Sequence, residues 1–244
     1  MKTTGILFSP IIYGRNAPAT LPALFSDASR NGLDASFEGG LVAGDWALAN
    51  SSIYAPLLNG TSDYISLPDN DLFSFGDATA GSDRAFSVMT WVNMTDATGF
   101  PVIAKGIYNT SGEWRFSCLA ADDKIHWQMF DESVADCYIG RLYNTALTAN
   151  EGTWIHLAGT YDASETSAGC KIYVNGVQVD DTDYESNPGS YVAMENLAAT
   201  VQLGRDNTVY GEGYISPDTK IINYELDAAQ VATYYNSTRD FYGV

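Results

Sequence analysis

Phe86-Ser87-Val88-Met89-Thr90-Trp91-Val92-Asn93-Met94 puts Phe86, Val88, Thr90, Val92 and Met94 on one side of an extended chain and Met89 and Trp91 on the other. A strand with bulk on both sides has to be covered on both, so it belongs deep in a stack of two sheets. The same texture recurs at residues 113–119, 124–130, 153–161, 170–174 and 200–204: short runs rich in Val, Ile, Tyr, Phe and Trp, bounded by Gly, Asn, Asp and Ser. Between Val174 and Val177, Asn175-Gly176 supplies the two positive-φ positions of a type I′ hairpin turn. Helical signals are confined to the C-terminal region. There Asp227-Ala228-Ala229-Gln230 is a variant capping box, and the pattern continues through Val231, Ala232, Tyr234 and Tyr235. The expected fold is all-β: a two-sheet antiparallel β-sandwich of the jelly-roll type, capped by one short C-terminal helix.

Composition narrows the function. The chain has 244 residues, which a sandwich accommodates as one unit, and its 45% hydrophobic content is enough for a sizeable core. Residues 1–20, with Gly14, Pro10 and Pro18, read as an N-terminal arm or an edge strand, and 21–244 as the sandwich domain. Twelve Lys and Arg against thirty Asp and Glu give a formal charge of -18, which repels phosphate backbones and anionic lipid, so nucleic acid is not an expected partner. No run approaches the roughly 20 apolar residues of a membrane helix, so no membrane insertion is expected. The first residues carry Ser9 and Pro10 where a signal peptide needs an apolar stretch, so synthesis in a cytoplasm is expected, with a virion surface or the extracellular space as later locations. Cys118, Cys137 and Cys170 are odd in number and read as free buried thiols.

In order along the chain, several pieces resemble the laminin-G-like branch of the concanavalin A-like lectin/glucanase superfamily. They are Asp27-Ala28-Ser29-Arg30-Asn31-Gly32, then Leu58-Asn59-Gly60 followed by Asp63-Tyr64-Ile65, then Phe86 to Trp91-Val92, and Ile103-Ala104-Lys105-Gly106. The most specific is Gly152-Thr153-Trp154-Ile155-His156-Leu157-Ala158-Gly159-Thr160-Tyr161-Asp162, followed by Lys171-Ile172-Tyr173-Val174-Asn175-Gly176. The resemblance spans about residues 21–235 and implies the jelly roll. It also implies a structural calcium near the last strand. There the family's Gly-x-Ile-Asp-Glu is replaced by Gly213-Tyr214-Ile215-Ser216-Pro217-Asp218, so Asp218, with Asp27 as a second oxygen donor, stands in for the missing carboxylate. No cofactor is otherwise required.

Glycoside hydrolysis needs paired carboxylates across a sugar cleft. The spacing that places them on one strand is missing, and Asp69, Asp71, Asp122, Asp123, Asp131, Glu132, Asp180, Asp181 and Asp183 all neighbour turns, where solvated Asp is common. The chain is therefore read as non-catalytic, with a glycosidase using Glu113 or Glu132 as a distant alternative. His156 reads as a packed, hydrogen-bonded histidine of the sandwich. Sugar sites combine an aromatic face with planar polar groups. Trp114 and Trp127 alternate with the wrong parity for that and read as core, leaving Arg115, His126, Gln128, Tyr138, Arg141 and Tyr143 as the ligand-binding candidates.

Two functions follow. One is a surface recognition module that binds a glycan or surface polymer, supported by the Tyr-rich loops at 184–191 and 207–214. The other is a structural or decoration protein of a virion or similar assembly, docking to protein partners through residues 1–20.

Overall fold

In the computed structural model, which describes residues 5–8, 24–25, 27, 29, 31–42, 45–50, 53–119 and 122–244, the alternating stretch is strand β7 (Phe86–Met94) at the centre of one sheet. Its partner on one edge is β12 (Ile155–Tyr161), in register from Val92 against Ile155 to Phe86 against Tyr161. The other edge is shared. β19 (Glu212–Ile215) pairs with Val92, Asn93 and Met94, whereas β20 (Lys220–Ile222) pairs with Ser87, Val88 and Met89. β13 (Cys170–Val174) and β14 (Val177–Gln178) extend the sheet beyond β12, while β5 (Ile53–Asn59) and β4 (Trp46–Asn50) extend it beyond β19. β1 (Ile6–Phe8) lies beside β20. It is the described part of the segment read as an arm or edge strand; residues 1–4 and 9–20 lie outside the described residues.

The second sheet has the order β15 (Thr182–Asp183), β11 (Tyr138–Leu142), β10 (Ile125–Phe130), β9 (Trp114–Cys118), β8 (Pro101–Lys105), β16 (Val201–Leu203), β6 (Tyr64–Leu67), β3 (Ala35–Glu38), β2 (Leu24–Phe25). All described pairings are antiparallel, as a sandwich built from hairpins and long crossings requires.

Parity decides the core. Phe86, Val88, Val92 and Met94 of β7 meet Trp114, Phe116, Trp127 and Met129 of the other sheet in one buried cluster. Trp127 donates its indole N–H across the gap to the Thr160 carbonyl at 2.9 Å. Its ring lies against Gly159, where a Cβ would stand 2.9 Å from the indole Cδ2, so glycine is what lets the sheets approach here. A buried indole removes roughly 200 Å² from water, about 5 kcal/mol as an upper bound at 25 cal/mol per Å².

Asn175 and Gly176 have φ of 51° and 78°, as the turn reading expects. The capping box at Asp227 and Gln230 is formed. The helix it starts, α1 (Ala228–Tyr242), is 15 residues long, four turns where a short cap was expected, and it lies flat on a sheet face. The reason is aromatic. Trp91, on the outward side of β7, stacks on Tyr242 at 4.2 Å and on Tyr235 at 5.6 Å, and donates to Thr238 Oγ1 at 3.1 Å. Met89, Ala158, Tyr173, Ile222 and Val231 form a second buried cluster under the helix. We call this the covered sheet and the other the open sheet.

His156 takes the outward parity of β12 and is sealed beneath α1, with ring centroids 5.3 Å from Trp91 and 5.5 Å from Tyr234. Contrary to the expectation of a hydrogen-bonded histidine, neither ring nitrogen has a partner, because the face it meets is aromatic. Burial drives its pKa down to about 3. The three cysteines are free and buried. Among the described residues no helix is long and apolar enough to cross a membrane.

Candidate functional site

The outer face of the open sheet is built by the same parity that buries Trp114, Phe116, Trp127 and Met129. Their neighbours Arg115, His126 and Gln128 turn the other way, and in β11 Tyr138 and Gly140 stand opposite Phe130 and Gln128. Arg115 and Gln128 are cross-strand partners, and the Arg115 Nε and Nη2 both donate to Gln128 Oε1, at 3.1 and 2.7 Å. The remaining arm of the guanidinium reaches Asp206 at 2.8 Å. Asp206 comes from a two-stranded ribbon, β17 (Arg205–Asp206) with β18 (Val209–Tyr210), which follows β16. Three hydrogen bonds thus fix the guanidinium, leaving it oriented before any ligand arrives.

Beside Arg115 runs a band of rings. Phe130 lies 5.3 Å and Tyr108 5.9 Å from its Cζ. Tyr108 meets Tyr138 edge-on at 5.5 Å, Tyr138 stacks on Tyr184 at 5.5 Å, and Tyr184 meets His126 edge-on at 4.3 Å. Burial and the Asp136 carboxylate raise the Tyr108 phenol to about 12, and burial raises Tyr138 further, so both stay neutral hydrogen-bonding groups.

The six sequence candidates divide. Arg115, His126, Gln128 and Tyr138 share this face. Arg141 and Tyr143 do not: Arg141 is opposite Trp127, and its guanidinium is held by Asp183 at 2.9 Å and by the Asp180 carbonyl at 3.2 Å. Tyr143 packs against the main core. Nor do His126 and Gln128 present themselves as surface contacts. They are 1% and 0% exposed, covered by Tyr184 and Arg115, and form the floor. His126 Nδ1 and Gln128 Nε2 are buried without a hydrogen-bond partner. Burial depresses the His126 pKa, and Asp122, 3.3 Å from Nε2, partly restores it. Sequence reasoning missed Tyr108, Tyr184 and Asp206. Tyr184 and Asp206 lie in or beside the Tyr-rich loops, but their approach to Arg115 and His126 depends on pairings across long sequence separations.

The carboxylates named as alternatives are engaged by donors of the fold itself. Glu113 Oε1 binds Lys105 at 2.6 Å, the Leu197 N–H at 2.9 Å and Ser74 Oγ at 3.2 Å, with both ionic side chains fully buried. Glu132 accepts from the Gly112 N–H at 3.1 Å. Asp218, offered as a calcium donor, is paired with the Lys220 ammonium, a cation already occupying its carboxylate. Asp27 accepts from Ser29 N, Ser29 Oγ and Leu33 N. These residues do not fit the set of six or more oxygens that calcium takes. Among the described residues no three His, Cys, Asp or Glu side chains gather as a metal would need.

Comparison with known proteins agrees with this architecture. The family profile described as the concanavalin A-like lectin/glucanases superfamily matches residues 59–232. No curated protein sequence matches the chain. Among solved structures, the binding domain of Paraclostridial Mosquitocidal Protein 1 is similar with a TM-score of 0.67 at 13% identity, over 98% of this chain and 55% of that one. The receptor-binding domain of botulinum neurotoxin C/D mosaic serotype is similar with a TM-score of 0.61 at 17% identity, over 95% of this chain and 51% of that one. This chain therefore spans about half the length of those toxin domains. Domain 4 of AbnA, an extracellular arabinanase from Geobacillus stearothermophilus solved with arabinotriose, is similar with a TM-score of 0.59 at 20% identity, over 88% of this chain and 97% of that one. At these identities the likeness concerns the fold. With the profile matching well over half of its residues on a two-sheet jelly roll, the chain belongs to the concanavalin A-like lectin/glucanase superfamily.

Proposed function

We propose that the chain is a non-catalytic carbohydrate-recognition module whose ligand lies on the outer face of the open sheet. One observation carries the reading: α1 closes one outer face of the sandwich, while the other presents a pre-oriented guanidinium, Arg115, beside half-buried Tyr108, Tyr138 and Tyr184. Tyrosine rings offer an apolar face for a sugar ring, and the fixed guanidinium and phenols supply hydrogen bonds to its hydroxyls. The arabinotriose held by the similar arabinanase domain is consistent with this assignment. The non-catalytic part of the reading rests on Glu113, whose carboxylate is sealed from solvent by the Lys105 pair.

A glycan array on the purified chain, with calcium and with chelator, tests it. Retention of an oligosaccharide that chelator leaves unchanged and that Arg115→Ala and Tyr184→Ala abolish is the expected result. A folded protein that retains no saccharide, or binding indifferent to both substitutions, overturns it.

A further inference from the structure

The ribbon that delivers Asp206 to Arg115 carries a second guanidinium next to it. Arg205 lies over a pair of tyrosine rings, its Cζ 4.7 Å from the centroid of Tyr64 and 5.3 Å from that of Tyr210. The two rings are 6.2 Å apart and tilted by 57°. Tyr64 belongs to β6, where Ile65 and Leu67 are buried inward, so it stands on the outer face of the open sheet. Tyr210 is the cross-strand partner of Arg205 in the ribbon. The Arg205 Nε donates to the Asn207 carbonyl at 2.8 Å, closing the ribbon turn on the guanidinium.

Charge makes this arginine unusual. In a chain with a formal charge of -18, Lys105, Arg115, Arg141, Lys171, Lys220 and Arg239 each have a carboxylate within 4 Å. Of the other described basic residues, Arg84 donates to the Ser74 carbonyl and Lys124 to Asn144 Oδ1. Arg205 alone among the described residues is held by rings and has no acceptor for its Nη N–H bonds. With both rings gathered on one side of the guanidinium and its Nε bound to Asn207, the Nη N–H bonds are left for a ligand, and two parallel N–H bonds match a carboxylate. The clamp also removes much of the rotamer freedom that a free arginine would lose on binding.

We infer that Tyr64, Arg205 and Tyr210 form a carboxylate-binding subsite at the rim of the proposed glycan face, so that the preferred ligand is a saccharide bearing an acidic sugar. Arg115, neutralised by Asp206, contacts hydroxyls, and Arg205 selects charge. This inference rests on the glycan reading for its ligand class but not for its anion site.

The test compares trigalacturonate with its methyl ester, which keeps the rings and removes the charge. Wild type is expected to bind the acid about tenfold or more tightly, with the difference narrowing at high salt. Arg205→Gln is expected to lose that preference while binding the ester as before, and Arg205→Lys to lose most of it because an ammonium lacks the planar fork. The 15N resonance of Arg205 Nε is followed while glucuronate monosaccharide is added. A shift there with no oligosaccharide binding keeps the anion site and sinks the glycan face. Oligosaccharide binding with no acid preference, or with a preference that Arg205→Gln leaves intact, sinks the subsite and keeps the face.

Discussion

Lys105→Met removes the ammonium that faces Glu113 among the described residues, and its cost follows from the geometry. The pair is 2.6 Å apart with both side chains fully buried, and Lys105 also donates to the Leu197 carbonyl and Asp69, each at 3.0 Å. Burial holds the Glu113 carboxyl above its ordinary range and Lys105 draws it back, so without Lys105 it rises further. The electrostatic penalty is capped, because the carboxyl takes a proton instead of staying charged. Starting from a reference near 4.5, that cap is about 3 kcal/mol at pH 7 and under about 1 kcal/mol at pH 5, at 1.36 kcal/mol per unit. Losing the hydrogen bond to the Leu197 carbonyl adds about 1 kcal/mol at either pH. The sign is that of an acid with a raised pKa in the folded state: stability is present at low pH and lost as pH rises above the unfolded value. Urea denaturation of Lys105→Met against wild type is expected to give a deficit of about 2–4 kcal/mol near pH 7, shrinking by about 2 kcal/mol near pH 5. Glu113→Gln added to Lys105→Met is expected to recover most of the loss and to abolish its pH dependence. A deficit below about 1 kcal/mol at pH 7, or one that is equal at both pH values, refutes the argument.

His156, buried and unpartnered with its pKa lowered to about 3, makes stability full above the unfolded value of 6.5 and progressively lost below it. His156→Phe is expected to flatten the acid limb of the urea midpoint between pH 7 and pH 4, where wild type loses about 3 kcal/mol to this group. Gly159→Ala forces a methyl into the Trp127 indole and is expected to cost about 1–3 kcal/mol, read by thermal denaturation, while Ala158→Gly beside it opens no clash. Tyr138→Ala is expected to weaken oligosaccharide binding about tenfold in a calorimetric titration, with the urea midpoint moved little, because Tyr138 lies on the outer face. Unchanged affinity would remove Tyr138 from the site.

Strand alternation made the fold legible. The 86–94 stretch became the central strand, the Asn175-Gly176 turn and the Asp227 capping box formed where they were expected, and Trp114 and Trp127 went inward. What alternation cannot give is partnership. Whether Gln128 is exposed depends on Arg115 and on the ribbon that locks Arg115 down, and whether His126 is exposed depends on Tyr184, which a strand edge 58 residues further along the chain brings over it. Arg141 and Tyr143 lie away from the outer face for a simpler reason. They follow Tyr138 closely in sequence, but the period of two sends Arg141 to the opposite side. The length and placement of α1 were hidden because its contacts are tyrosines spread along a polar-looking segment. Alternation gives no hint of Arg205 either. Its clamp needs Tyr64, from a strand 141 residues earlier in the chain.

The divided edge of β7 also sets an order of events during synthesis. β12 can pair with β7 once residue 161 is made, but the opposite edge waits for residues 212–222, and Met89 and Trp91 wait for the helix at 228–242. While the nascent chain lengthens through that interval, its most apolar strand offers a free hydrogen-bonding edge and a bare aromatic face, the combination that recruits a neighbouring chain into a misassembled sheet. Residues 212–242 therefore act as a closure, and a ribosome paused before them would hold out an adhesive template rather than a nearly finished domain.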